Sequence, residues 1–349
     1  MRNDAVLSQT SQAPSTAFAG CSEIDGLNCH EFSAIGKQPI LVVQAGELQW
    51  PMSAAQAVVV GIDSVGALPR VDPTGFDVLL TTAQDAPAPW VTIRSTDLRA
   101  HVDNLTDMVA AKAVAATTLC QVLRLTENLS IGEALAIESL AYSTLLAGHE
   151  FAVWLSRRLT TIDRLPTPDA EVKYARAGDH VTLTLANPAN RNAMTARMRD
   201  SLYSELVSVL EDPTLPGVSI RAAGRCFSVG GMLSEFGTAP DPATAHVIRT
   251  LRSCAHLIAR LGQRVDVLFS GACIGSGLEL GAAAAYRAAK RDAYFELPEL
   301  KMGLIPGAGG TVTVPRAIGR HRSAWMMLTG RRIDAKRALD WRLIHGIED

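Results

Sequence analysis

The sequence predicts an α/β fold in two parts: a smaller, mostly helical N-terminal unit opened by short strands, and a C-terminal unit in which strands and helices alternate. Three observations carry this reading. Short β-branched runs crowd residues 39–93 and give way to long helical patterns. A proline pair, Leu165-Pro166-Thr167-Pro168, interrupts the chain near its middle. Beyond it the sequence repeats strand, then helix, the pattern of a layered α/β core. With 349 residues, the chain can bury one core in each half.

Taken in order, residues 1–35 open with a small, polar stretch (MRNDAVLSQTSQAPSTAFAG) and are expected to be a disordered tail. They lack a cationic segment followed by an apolar core, so they do not read as a signal peptide. Residues 36–166 form the N-terminal accessory unit. Its strands are expected at Pro39–Gln44, Val58–Ile62, Val78–Thr82 and Trp90–Ile93. Its helices are expected at Ser95–Leu125 and Ser130–Leu159. The second opens on Ser130 and Glu133, a capping-box pair, and carries Leu135, Leu140, Leu145, Phe151 and Trp154 at helical spacing. The prolines at 166 and 168 disfavour a continuing helix and set the boundary.

In the C-terminal unit, residues 167–349, Val181–Ala186 alternates as a strand and Asn187-Pro188 ends it. Met194–Leu210 reads as a helix and Gly217–Ala222 as the next strand. The run Val265–Ala285 is apolar enough to resemble a membrane span. It contains Asp266, Glu279 and four glycines, however, and is read as a buried strand, a turn and a core helix.

Composition excludes several classes of function. The net charge is −2 with both signs well mixed, so no basic face points to nucleic acid, and no membrane partner is expected. The six cysteines show no C-x-x-C spacing and suit a reducing, cytoplasmic setting. No metal-ligand spacing occurs, and Gly307–Thr311 lacks the lysine of a phosphate loop. His149 and His256, on helical patterns, are expected to face solvent or a core edge.

Two stretches carry chemistry: FSGACIGSGLELGAAAA from Phe269 and FELPELKMGLIPGAGGT from Phe295. Each sets a glutamate, Glu279 or Glu299, among apolar residues and glycines, where burial raises a carboxyl pKa and a pair can divide acid and base duties. Gly275-Ser276-Gly277 reads as a tight turn entering a helix, whose free N–H groups would suit a developing oxyanion.

With LTLANPANRNAM (Leu183–Met194), GRCFSVGGML (Gly224–Leu233) and LTGRRIDAKRALDWRLIHGI (from Leu328), these stretches make five blocks in register. Together they resemble the crotonase (enoyl-CoA hydratase/isomerase) superfamily over roughly Glu171–Asp349. The resemblance implies a crotonase-like spiral of ββα turns, assembled as a homo-oligomer, a trimer or hexamer. It implies an acyl-CoA thioester substrate, with CoA belonging to the substrate and no further cofactor. The backbone N–H groups of Gly231 and Ser276 would bind the thioester oxygen, and Glu279 and Glu299 would be the catalytic carboxylates of a hydratase. Arg191, Ala193, Gly230, Gly231, Met232, Leu233 and Ser276 would line the substrate path.

Departures from the family pattern leave alternatives open. Ser276 stands where glycine is usual and Met232 where aspartate is usual. Family members continue past the equivalent of Asp349 with further helices, so the N-terminal helices or an oligomer partner are expected to cover that surface. The two halves are expected to dock through apolar faces, with residues 44–165 contributing no catalytic group. Beside hydratase stand isomerase, thioester hydrolase, decarboxylase, cofactor-free dioxygenase and a non-catalytic partner subunit.

Overall fold

The computed structural model describes residues 30–47, 56–157 and 172–349. The expected Pro-rich boundary and most of the expected tail lie outside these. Residues 30–35, expected within the tail, are placed: Phe32 and Ser33 are buried, and Ala34 N–H donates to Gln56 O at 3.0 Å.

The four N-terminal strands form where their β-branched runs lie: β1 (Ile40–Gln44), β2 (Val58–Asp63), β3 (Val78–Thr81) and β4 (Val91–Thr92). They make one parallel sheet in that order, with Leu41 opposite Val59, Val60 opposite Val78 and Leu80 opposite Val91. Every residue of β2 and β3 is buried, which explains why these strands read as continuous apolar runs rather than alternating ones.

Each long helical pattern is in fact two helices. The first divides into α1 (Leu98–Ala111) and α2 (Ala113–Thr126), bent by 102°. The second divides into α3 (Ile131–Leu146) and α4 (His149–Arg157) at Ala147-Gly148. No glycine or proline marks the first break. A tertiary contact holds it: Glu150 of α4 accepts from Val114 N and Ala115 N at 2.9 and 3.1 Å, so its carboxylate caps α2. The Ser130–Glu133 capping box forms as expected. Leu140, expected in the apolar face, is 55% exposed.

The second half opens with β5 (Val172–Ala177), antiparallel to β6 (His180–Leu185), then α5 (Ala196–Glu211) and β7 (Gly217–Ala222). Helices α6 (Pro242–Leu251) and α7 (Cys254–Leu261) lead to a repeating pattern: β8 (Val265–Phe269), β9 (Ala272–Ile274) and α8 (Ser276–Gly281), then β10 (Tyr286–Lys290) and β11 (Tyr294–Glu296). After α9 (Gly310–Ile318) and α10 (Arg320–Thr329) come β12 (Ile333–Asp334), α11 (Ala335–Asp340) and β13 (Gly346–Glu348). Each turn puts one strand in a large sheet, ordered β13-β10-β8-β7-β6-β5, and one in a small sheet, ordered β12-β11-β9. Val265–Ala285 thus holds two strands from different sheets and a six-residue helix, one strand more than the expected strand, turn and core helix.

One buried core runs through both halves, from Val58 on β2 to Ile344, and α3 packs on α6, α7 and α9. The apolar docking expected between the halves is present, and a polar clamp accompanies it. Arg320 donates to Phe76 O at 2.9 Å, His321 meets Pro73 O at 2.8 Å, and Arg322 donates to Ala86 O at 2.9 Å and Trp90 O at 3.2 Å. Beneath them Asp77, 1% exposed, accepts from Val59 N and from both Nε and Nη2 of Arg124. Removing one partner of such a pair strands a buried charge, which costs about 3–5 kcal/mol. Asp77→Ala should lower the unfolding free energy by about that amount, read by urea denaturation. Asp103→Ala, removing only a surface pair with Arg99, should change it by about 0–1 kcal/mol.

Candidate active site

The site is assembled where the small sheet meets two glycine-containing loops. Ser228 of the first loop pairs beside Cys273 of β9, its N–H donating to Ala272 O and its carbonyl accepting from Ile274 N, both at 3.0 Å. This carries Gly230 and Gly231 to the start of α8. Gly230 has φ 89°, and a Cβ there would stand 3.1 Å from Ile274 O. Gly275 has φ 49°, and a Cβ there would stand 2.7 Å from Glu299 Oε1. Glycine is required at both.

The Arg191–Met194 segment lies against the same loop. Met194 N donates to Gly230 O at 2.7 Å, Met232 N to Met194 O at 2.9 Å, and Val229 N to Arg191 O at 3.2 Å. Asn192 is fully buried, with φ 52°, and its amide nitrogen donates to Ala223 O and Cys226 O. Ala193 is buried and Met232 half-buried, while Arg191 and Leu233 are exposed at the rim. Among the described residues, the N–H groups of Gly231 and Ser276 donate to no other group of the chain. The Ser276 hydroxyl is buried without a partner.

Both predicted glutamates are buried. Glu279, 2% exposed on α8, accepts through Oε2 from Ala308 N at 2.7 Å and Gly310 N at 2.9 Å. Glu299, 8% exposed, opens a 3₁₀ turn after β11, and its Oε2 has no partner. The two therefore differ. Charge-assisted hydrogen bonds contribute about 1.5–3 kcal/mol each, so the loop offsets much of the several-kcal/mol penalty for burying a carboxylate at Glu279. Glu299 has no such set of donors. Burial, then the charge of Glu279, drives its pKa well above the ordinary carboxyl range. Glu279 is pushed up by burial and held back by the loop N–H groups, to about 7.

A third carboxyl joins them from the N-terminal half, and sequence reasoning missed it. Glu138 on α3, 2% exposed, accepts from Gly309 N at 2.7 Å, Thr311 N at 2.8 Å and Thr311 Oγ1 at 2.6 Å. Burial, then the charge of Glu279, raises it to about 8. Residues 44–165, expected to contribute no catalytic group, thus bring a buried carboxyl to the loop that Glu279 also holds. A signal was available: Glu138 follows Ala134 and Leu135 by four and three residues, on the stripe that α3 buries. His149 is exposed as expected, and half-buried His256 borders a cavity of about 240 Å³. Glu138, Met194, Arg249, Leu280 and Gly309 also line that cavity. Gly231 and Ser276 do not line it, but Met194, whose N–H donates to Gly230 O, does.

The model of the enoyl-CoA hydratase/isomerase family matches residues 179–348, which leaves Glu138 outside. An enoyl-CoA isomerase/hydratase of Mycosarcoma maydis is 33% identical over 171 residues, covering 46% of this chain and 62% of that protein. The 2,3-dehydroadipyl-CoA hydratase of Escherichia coli is 30% identical over 181 residues, covering 51% of this chain and 69% of that protein. The 1,2-epoxyphenylacetyl-CoA isomerase of the same organism is 32% identical over 174 residues, covering 48% and 66%. The crystal structure of an enoyl-CoA hydratase from Thermoplasma volcanium aligns with a TM-score of 0.48 at 30% identity, covering 52% of this chain and 73% of that one. The chain thus spans less than two thirds of the Mycosarcoma protein's length.

The raised carboxyls make stability fall with pH. The folded chain holds these protons more tightly than the unfolded chain does. Their contribution is full below the ordinary glutamate range and is lost as pH rises through about 7 for Glu279 and about 8 for Glu138. The melting temperature should decline between those limits. In Glu279→Gln the decline should be shallower, because one of the ionisations is gone and the other is eased; parallel curves for the two proteins would contradict the assignment.

Proposed function

The chain belongs to the enoyl-CoA hydratase/isomerase family, and on that premise we propose that it is an enzyme adding water across the double bond of an enoyl-CoA thioester. One observation carries this reading: two buried glutamates of unequal proton affinity flank the Gly275 turn, beside the undonated N–H groups of Gly231 and Ser276.

The chemistry follows from that inequality. Glu279, supplied with N–H donors, is the carboxylate and takes a proton from water. The water oxygen bonds to the β-carbon, and the π electrons move through the α-carbon onto the thioester oxygen. Gly231 N–H and Ser276 N–H stabilise the enolate that forms. Glu299, held as the acid, delivers its proton to the α-carbon. One water has been added; Glu279 carries its proton and Glu299 its charge until the two exchange with solvent. An isomerase reading needs only one carboxyl to move a proton, and the isomerase among the relatives keeps it as the second reading.

The decisive assay is loss of absorbance at the enoyl-thioester band with short- and long-chain enoyl-CoA. Glu279→Gln and Glu299→Gln should each lower kcat by about 10²–10⁴ with little change in KM. Loss in only one variant would favour the isomerase. Ser276 is the first residue of α8, a position where proline is accepted because its N–H is not needed by the helix. Ser276→Pro should therefore leave far-ultraviolet circular dichroism unchanged and lower kcat by about 10²–10³. Unaltered turnover in that variant would remove Ser276 from the oxyanion site.

A further inference from the structure

Glu138 takes no part in the steps above, yet it is as deeply buried as the two glutamates that do. It stands on α3, in the stretch before the family match. The loop from Ala308 to Thr311 presents four successive N–H groups, and two carboxyls take them alternately. Glu279 accepts from Ala308 and Gly310, and Glu138 from Gly309 and Thr311. The loop is therefore gripped from two sides by groups that come from different halves of the chain.

We propose that Glu138 is a positioning residue for Glu279: through the loop they share, it fixes where the Glu279 carboxyl sits and when that carboxyl can hold its charge. The inference rests on the catalytic reading of Glu279. Two buried carboxylates on one short loop repel each other, so ionisation of the first disfavours ionisation of the second, and the two titrate as a pair. The Thr311 hydroxyl, donating to Glu138 at 2.6 Å, adjusts the balance by favouring charge on Glu138.

Arg249 and Glu299 lie within the electrostatic reach of the pair, Arg249 of Glu138 and Glu299 of both. Tyr142 is on α3; Arg249 and His246 face it from α6, His256 from α7 and Glu299 from the 3₁₀ turn. Arg249 is engaged with Ser139 and lies over the Tyr142 ring at 4.5 Å, and His246 bonds the same serine at 2.9 Å. On α9, Arg316 donates to Leu129 O. On α2 and α4, Arg124 is held by Asp77 and Glu150 by the N-terminus of α2. No residue with a positive charge donates directly to either carboxyl among the described residues.

Two measurements on the full chain test this. The first is a ¹³C-NMR titration of glutamate side-chain carboxyls, with the Glu138 signal identified by its loss in Glu138→Gln. In Glu279→Gln the Glu138 signal should titrate lower by roughly one pH unit; an unmoved titration would overturn the proposal. The second is the pH profile of kcat on an enoyl-CoA. The lower inflection, set by ionisation of Glu279, should move to lower pH in Glu138→Gln and also in Thr311→Val, where Glu138 loses a donor to its charged form and repels Glu279 less, while KM stays unchanged. Folded variants whose profiles superimpose on the wild type would also overturn it. Should Glu138→Gln not fold, Thr311→Val, which keeps every backbone contact, carries the kinetic arm. Absence of turnover in the wild type would instead sink the hydratase reading, and the titration would still decide the role of Glu138.

Discussion

The arrangement depends on how the backbone between Ala308 and Thr311 is satisfied. Four consecutive buried N–H groups need acceptors, and an unmade hydrogen bond of this kind costs about 1–3 kcal/mol. No strand or helix supplies them; Glu279 and Glu138 do. That fixes the entry to α9, the placement of α3 over the spiral and the charge at the centre of the site in one stroke. Glycine at 307, 309 and 310 lets the neighbours approach: a Cβ at these positions would stand 2.4 Å from the Tyr142 ring, 2.8 Å from Ala255 Cβ and 2.7 Å from Glu279 Cγ, respectively.

The same arrangement ties the two halves into one structure. The N-terminal strands form a parallel sheet of their own, yet the face of that sheet and its helices belong to the core that contains α9 and α10. Apolar burial supplies most of such an interface but little orientation. Orientation comes from directional groups: Arg320, His321 and Arg322 reaching the carbonyls around β3 and β4, and Trp325 Nε1 donating to His101 Nε2 at 2.8 Å. Burial lowers the His101 pKa to about 4, so this imidazole stays neutral and able to accept that bond.

Much of this was legible from residues alone, and the reasons are physical. Strands β2 and β3 announce themselves because strands buried on both faces read as continuous apolar runs. Glu279 and Glu299 stand out because a carboxyl in a glycine-rich apolar run has no cheap structural explanation. The breaks at Lys112 and Gly148 did not show, since Ala113–Thr126 is a good helix sequence and its start is set by Glu150, more than thirty residues away in sequence. Glu138 was hidden differently: one glutamate in a helix normally faces water, and only its place on the buried stripe argues otherwise. Strand β9, only three residues long, was lost inside the apolar run that contains it.

Three buried carboxyls in one site oppose folding at neutral pH, and the chain offsets this unevenly. Glu279 and Glu138 receive loop N–H donors, while Glu299 Oε2 has no partner and burial pushes that carboxyl well above the ordinary range. Removing the strain by apolar substitution would stabilise the fold, as is common where a buried charge is replaced by well-packed side chains. What would be lost is the difference in proton affinity between Glu279 and Glu299. Glu279 owes its donors to the loop, and α3 meets the same loop from the other side through Glu138. The N-terminal half thus shares with the C-terminal half the short stretch of backbone that bonds the Glu279 carboxyl, so a change in how α3 docks reaches that carboxyl through four hydrogen bonds.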